Sequence, residues 1–174
     1  MATAGISLFS GLYLGEYDHA LDAQCRVTFP SDWRNPEGPT ELVMIPARGK
    51  ALVLLPIQTF LDFVKKATKL AIANPKMQMA LAFLGSRSRQ CRCDKQGRIA
   101  LDRKMLDEIE VKTQLKLIGA VTHIRLSAPE NWQIPDDEGT LNMYLDEIQK
   151  VSDEGDGIAS LLAEAIGKKE KDEQ

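Results

Sequence analysis

Cysteine is scarce in this chain. Three residues in 174 is an odd count and too low for the disulfide framework of a small secreted domain, so a reducing, cytoplasmic setting is expected. Long apolar runs are missing as well. After the first fifteen residues the longest uncharged stretch, Ala51–Leu61, falls far short of the ~20 residues a membrane span needs. Met1–Gly15 carries no charged side chain and so lacks the basic flank of a signal peptide. No phosphate-cradling or dinucleotide glycine pattern occurs, and no Gly-x-Ser-x-Gly elbow supplies a nucleophile. Neither an enzyme nor a cofactor is expected. What is present, 44% hydrophobic and 27% charged residues, suffices for one compact domain or two small ones with a real core.

The net charge of −3 conceals a split. Residues 1–134 hold 18 Lys and Arg against 13 Asp and Glu, whereas residues 135–174 hold 4 against 12. Within the first part, Gly85–Lys104 gathers Arg87, Arg89, Arg92, Lys95, Arg98, Arg103 and Lys104 against only Asp94 and Asp102. Local field decides phosphate binding more than the overall charge does, so this window is a candidate polyanion patch. It is equally readable as a strand edge kept soluble by charge.

The sequence also repeats itself. Asp22-Ala-Gln-Cys-Arg26 returns 72 residues later as Asp94-Lys-Gln-Gly-Arg98, each copy followed by a β-rich triplet, Val27–Phe29 and Ile99–Leu101. Glu41–Ile45 is answered by Gln114–Ile118, and Leu54-Leu-Pro56 with Phe60 by Leu126-Ser-Ala-Pro129 with Trp132. Landmarks matched in one order indicate two structural halves, 9–72 and 82–134, followed by an acidic, partly helical extension over 135–174. Each half reads as strand, tight turn, strand, short helix, hairpin and helix. The hairpins pair Glu41–Pro46 with Ala51–Leu55 and Gln114–Ala120 with His123–Ser127. Pro56 and Pro129 stand where helices begin. Phe60, Phe63, Val64, Ala67, Leu70 and Ala71 recur at helical spacing, and a second helix is expected over Pro75–Leu84, capped by Gly85. Past Pro135 the expectation is a linker at Asp136–Gly139, a helix over Leu141–Val151, a break at Asp153–Gly157 and a short helix over Ile158–Ile166.

The two pentapeptides carry the strongest local signal. An Asp opening a turn can accept bonds from backbone N–H groups two or more residues on. The same carboxylate can hold the Arg four residues later and so pre-order its guanidinium. Gly97 adopts positive φ freely; Cys25 occupies the matching place, so the first turn is either of another type or strained. A purely structural hairpin salt bridge would also fit either copy taken alone.

The succession Phe9-x-Gly11, Asp22-x-x-x-Arg26-x-x-x-Pro30, Trp33-Arg34, Leu84-Gly85 and Asp94-x-x-Gly97-Arg98 resembles the MraZ family of bacterial transcriptional regulators over about residues 7–134. The resemblance implies an α+β, β-rich chain of two pseudo-symmetric halves of the swapped-hairpin (AbrB- and SpoVT-like) kind, forming a small barrel with flanking helices. It implies ring-like homo-oligomers that associate with the nucleoid. These would bind double-stranded DNA at short G-rich direct repeats upstream of a division and cell-wall gene cluster. Carried onto this chain, Arg26 and Arg98 become the DNA contacts, with Gln24, Lys95, Gln96 and Arg92 beside them. Asp22, Asp94 and Gly97 organise the loops. Arg can give guanine O6 and N7 two parallel bonds, worth about 1–3 kcal/mol of discrimination. Gln24-Cys25 stands where the family usually has Lys-Gly, so the second half is expected to supply more of the affinity. Helices Pro56–Ala71 and Pro75–Leu84 are the candidate subunit contacts, the strand Leu52–Leu55 being assignable to either contact or core.

Other constellations weigh less. Cys91 and Cys93 share a strand face, but their spacing is short for a metal site and the flanking arginines repel a cation. The same arginines would depress the thiol pKa values and open a redox role. His19 precedes Asp22 without any nucleophile to serve. Trp33 and Trp132 read as core anchors at helix starts rather than base-stacking platforms. The competing class is a swapped-hairpin interaction module, an antidote or scaffold, whose acidic tail holds a basic protein partner instead of DNA.

Overall fold

A computed structural model describes residues 11–134 and 137–152, with side chains through Ile148. The chain divides into two compact units, Met1–Trp132 and Gln133–Gln174. Phe9, Asp136 and the break and short helix expected over 153–166 lie outside the described residues.

The first unit is α+β and predominantly antiparallel. Its strands are β1 (Glu16–Ala20), β2 (Arg26–Thr28), β3 (Glu41–Ala47), β4 (Ala51–Pro56), β5 (Arg89–Arg92), β6 (Arg98–Ala100), β7 (Gln114–Gly119) and β8 (Ile124–Ser127). Its helices are α1 (Ile57–Ala71), α2 (Pro75–Arg87) and α3 (Arg103–Glu108), with 3-10 turns at Ser31–Trp33 and Pro129–Asn131. Six strands form one sheet in the order β1-β7-β8-β4-β3-β5, and β2 pairs with β6 in a separate ribbon. The outermost strand on each side comes from the opposite half of the sequence: β1 pairs with β7 (Glu16 opposite Ile118) and β5 with β3 (Arg92 opposite Glu41). Exchanging the halves leaves the order unchanged.

The expected small barrel does not close. Strand pairing stops at β1 and β5, because the turns after Ala20 and Arg92 redirect the chain into the ribbon. Beyond those turns β2 and β6 bond to each other; among the described residues an isolated bridge, Cys93 to Ile99, joins the ribbon to the stretch following β5. Charged residues mark both open edges, Glu16 and Asp18 on β1 and Arg89 and Arg92 on β5, a common way to discourage edge pairing.

One core cluster fills the space between sheet and ribbon. Alternate residues point inward, as the two-residue period of a strand requires. Leu42 and Met44, Leu52 and Leu54, Leu115 and Leu117, and Ile124 and Leu126 meet Val27, Phe29, Ile99 and Leu101 from the ribbon and its exits. Leu52 and Leu54 are buried, which assigns that strand to the core. Trp33 is a core anchor, edge-on to Tyr13, Tyr17 and Phe29 with its indole N–H on the Leu14 carbonyl at 3.1 Å. Trp132 donates to Glu16 Oε2 at 3.0 Å and lies under the Arg125 guanidinium.

Several boundaries differ from the sequence reading. Pro56 ends β4 and serves as N-cap of α1 rather than its first residue, and the Pro129 segment makes only a 3-10 turn. α2 runs through Gly85 to Arg87. Gly85 keeps a negative φ, and Ser88 closes the helix instead by bonding its hydroxyl to the Leu84 carbonyl at 2.6 Å. On α1 only Ala67 and Ala71 of the expected apolar face are buried, leaving Phe63 and Leu70 exposed. In the second unit, α4 (Glu138–Ser152) takes in Glu138 and Gly139, two residues expected in the linker.

Candidate nucleic-acid interface

The site is a pair of turns built alike. In the first, Asp22 Oδ1 accepts from the backbone N–H groups of Gln24 and Arg26, both at 2.9 Å, while Oδ2 accepts from Arg26 Nε at 2.6 Å. In the second, Asp94 Oδ1 accepts from Gln96 and Arg98 N–H, both at 2.9 Å, while Oδ2 takes Arg98 Nε at 3.0 Å and Nη2 at 2.9 Å. The main chain closes each turn the same way: Asp22 N–H to Arg26 O and Cys25 N–H to Asp22 O, then Asp94 N–H to Arg98 O and Gly97 N–H to Asp94 O. The two turns share one backbone type, because Cys25 holds φ +56° and Gly97 φ +77°. A left-handed residue with a β-carbon is strained, so the open choice at Cys25 resolves as strain.

Both carboxylates titrate below their ordinary range. The bonded backbone N–H of Arg26, and of Arg98 at the second turn, is the largest cause, with the guanidinium and the Gln N–H adding to it. Each Asp therefore stays charged and keeps its Arg tethered through the physiological range.

The ribbon sets where the arginines point. Val27 pairs with Ile99, and both are buried. Arg26 pairs with Ala100 and Thr28 with Arg98, so by strand alternation these four share the opposite, outward face. Both guanidiniums are partly exposed, 30% in each case. On this diagonal the two arginines rise about 7–8 Å apart from a single surface.

The loops are not identical. Arg26 is tethered through Nε alone, leaving both terminal nitrogens free among the described residues. Arg98 is tethered through Nε and Nη2, and Nη2 also meets Gln96 Oε1. Gln24 and Lys95 are exposed at the turn tips. Arg92, on the strand leading into the second turn, faces Glu41 at 3.7 Å. Pairing also thins the basic window: Arg87 meets Glu108, Arg89 Asp102 and Arg103 Asp107. Lys95 and Lys104 are its two cations without an ion pair among the described residues.

Two further arginines reach the turns, although sequence placed neither of them there. Arg34 donates Nε and Nη2 to the Phe29 carbonyl and lies against Gly97. Arg103 brings Nη1 to 3.8 Å from Cys25 Sγ and bonds the Val111 and Lys112 carbonyls. Each reaches a turn of the other half, a relation that sequence spacing does not reveal. The nearest hint was Trp33-Arg34, a buried anchor followed directly by a cation.

The expected depression of the thiols is reversed. Burial pushes Cys91 up to about 11, with Asp102 adding to it, and burial also raises Cys93 despite the nearby Arg34. Among the described residues no group of three or more His, Cys, Asp or Glu could hold a metal ion. His19 stacks on Tyr17 rather than meeting Asp22. No described helix is long and apolar enough to cross a membrane.

No family model matches the chain. Curated relatives do. A transcriptional regulator MraZ of Caldicellulosiruptor saccharolyticus is 27% identical over 122 residues, 70% of this chain and 85% of that protein. Its namesake in Halothermothrix orenii is 26% identical over 121 residues, 70% and 84% of the two chains. The one in Finegoldia magna is 25% identical over 132 residues, 75% and 91%. Over 70% or more of its length the chain is similar to transcriptional regulators named MraZ. This chain carries Cys25 in the left-handed place of its first turn and Gly97 in that of its second.

Proposed function

We propose that this chain is a DNA-binding transcriptional regulator that reads short direct repeats upstream of a division and cell-wall gene cluster through its two Asp-x-x-x-Arg turns. The observation that carries the reading is the doubled clasp: two guanidiniums, each pre-ordered by an Asp, raised on one outward ribbon face. Pre-ordering lowers the entropy lost on binding, and a tethered Arg with free N–H groups fits the guanine O6/N7 edge. Gln24, Lys95, Gln96 and Arg92 flank the pair as polar and phosphate contacts. The strand exchange between halves supports the swapped-hairpin architecture.

Single contacts of this kind are weak, so the working form is a ring-like homo-oligomer on cytoplasmic, nucleoid-associated DNA. Neighbouring subunits then engage successive repeats at high effective concentration. The exposed Phe63, Leu70, Met79 and Phe83 of α1 and α2 are the candidate subunit contacts.

The test is an electrophoretic shift with the gene's own upstream duplex. Arg26→Ala and Arg98→Ala should each weaken binding by about 1–3 kcal/mol. The double variant should show no repeat-dependent shift. No shift of the native chain at low salt, or a shift unaltered in the double variant, overturns the reading.

A further inference from the structure

Arg34 stands apart from the other arginines around the turns. It has no carboxylate partner among the described residues, whereas Arg26, Arg92, Arg98 and Arg103 each have one. It is half-buried, with Nε and Nη2 spent on the Phe29 carbonyl at 2.9 and 2.6 Å. Phe29 in turn donates its N–H to the Gly97 carbonyl at 2.8 Å, so Arg34 and the second turn are joined through one residue.

The orientation follows from Gly97. A β-carbon built there would fall on the Arg34 guanidinium carbon and both terminal nitrogens at nearly equal separations. Equal approach to all three atoms means the flat face of the guanidinium covers the glycine. That contact is why Gly97 is buried while its neighbours Lys95 and Gln96 are exposed. Nη1 is left without a partner among the described residues, beside the residue that precedes Arg98.

We propose that Arg34 is a further DNA-facing cation: a first-half guanidinium that stacks on Gly97, fixes the second turn, and offers Nη1 to a backbone phosphate oxygen next to the base read by Arg98. The proposal rests on the DNA-binding reading. An uncompensated charge held beneath a turn tip is well placed for phosphate, since Coulombic attraction is not already spent on a carboxylate. The first turn has no counterpart, because Arg103 there is paired with Asp107 and Cys25 fills the place of the glycine. The second turn thereby gains a phosphate contact that the first lacks, independent of Lys95.

The experiment measures affinity for the upstream duplex and for a scrambled duplex of equal length between 50 and 200 mM salt. The native chain is compared with Arg34→Ala, Arg34→Gln and Arg98→Ala. Gln keeps a donor for the Phe29 carbonyl without the charge, which guards against a variant that merely misfolds. Both Arg34 variants should bind more weakly to both duplexes. They should lose about 3.5-fold less affinity over that salt range, the change expected when one phosphate contact is removed. A salt slope equal to native in Arg34→Gln overturns the proposal, whether or not affinity falls. If the native chain binds neither duplex, the DNA reading itself has failed. If native binding is present and Arg98→Ala weakens it while the Arg34→Gln slope is native, only the role of Arg34 is refuted.

Discussion

Gly97→Ala isolates how the second turn is held. The substitution does two things at once. It forces a β-carbon into a left-handed conformation at φ +77°, which costs about 1–2 kcal/mol. It also drives the Arg34 guanidinium away from the glycine, breaking two charged bonds to the Phe29 carbonyl. Hydrogen bonds to charged groups contribute about 1.5–3 kcal/mol. Counting the two bonds once, because they share a single acceptor, the combined loss should be about 2.5–5 kcal/mol. In an Arg34→Ala background the clash is gone and only the backbone component remains, about 1–2 kcal/mol. Urea denaturation of the four proteins in this cycle gives the coupling directly. Equal costs of Gly97→Ala in both backgrounds would refute the stacking argument, and a cost below about 1 kcal/mol would refute the conformational one as well.

Leu54→Ala, at the middle of the sheet where β4 meets β8, should destabilise by about 2–5 kcal/mol in the same denaturation assay. Asp22 and Asp94 titrate low when folded, so the stability they lend is complete above the unfolded carboxylate pKa of about 3.9 and disappears as pH falls through the lower folded values. Carboxyl carbon NMR titration should therefore place both midpoints below the unfolded value of about 3.9, and Arg98→Ala should raise the Asp94 midpoint only partway, because the backbone N–H of residue 98 remains. Cys91, pushed up to about 11, should be alkylated at pH 8 at least 100-fold more slowly than after denaturation, as mass spectrometry of the labelled peptides would show. Labelling of native Cys91 at the denatured rate contradicts that burial.

Much of this architecture was legible because the repeat was. Asp22-x-x-x-Arg26 and Asp94-x-x-x-Arg98 carry their own geometry: an Asp that can reach two N–H groups and one guanidinium makes the same turn wherever it occurs. The hairpins were visible through alternation, as at Leu42–Met44 and Leu52–Leu54. What escaped was long-range. Pairing of β1 with β7 rather than with its own hairpin has no local signature, and with it went the open sheet in place of a barrel. Arg34 and Arg103 act across the halves, so no spacing rule finds them. The thiols were misjudged for a related reason. Flanking arginines suggest a low pKa only if the sulfur can see them; on β5 the side chains alternate, putting Cys91 inside and Arg92 out. Gly85 misled because a glycine marks a helix end only when its φ turns positive, and here Ser88 does the capping.

The exchange of outer strands has a consequence for how the chain is made. Glu16 waits for Ile118, a hundred residues downstream, before its strand finds a neighbour. Nascent chains must leave an unsatisfied edge in water until nearly the whole first unit has been synthesised, and large loop-closure entropy has to be met before those bonds form. The same exchange should make a nicked or divided gene product capable of reassembly, since neither portion retains a complete sheet alone and each supplies the strand the other is missing.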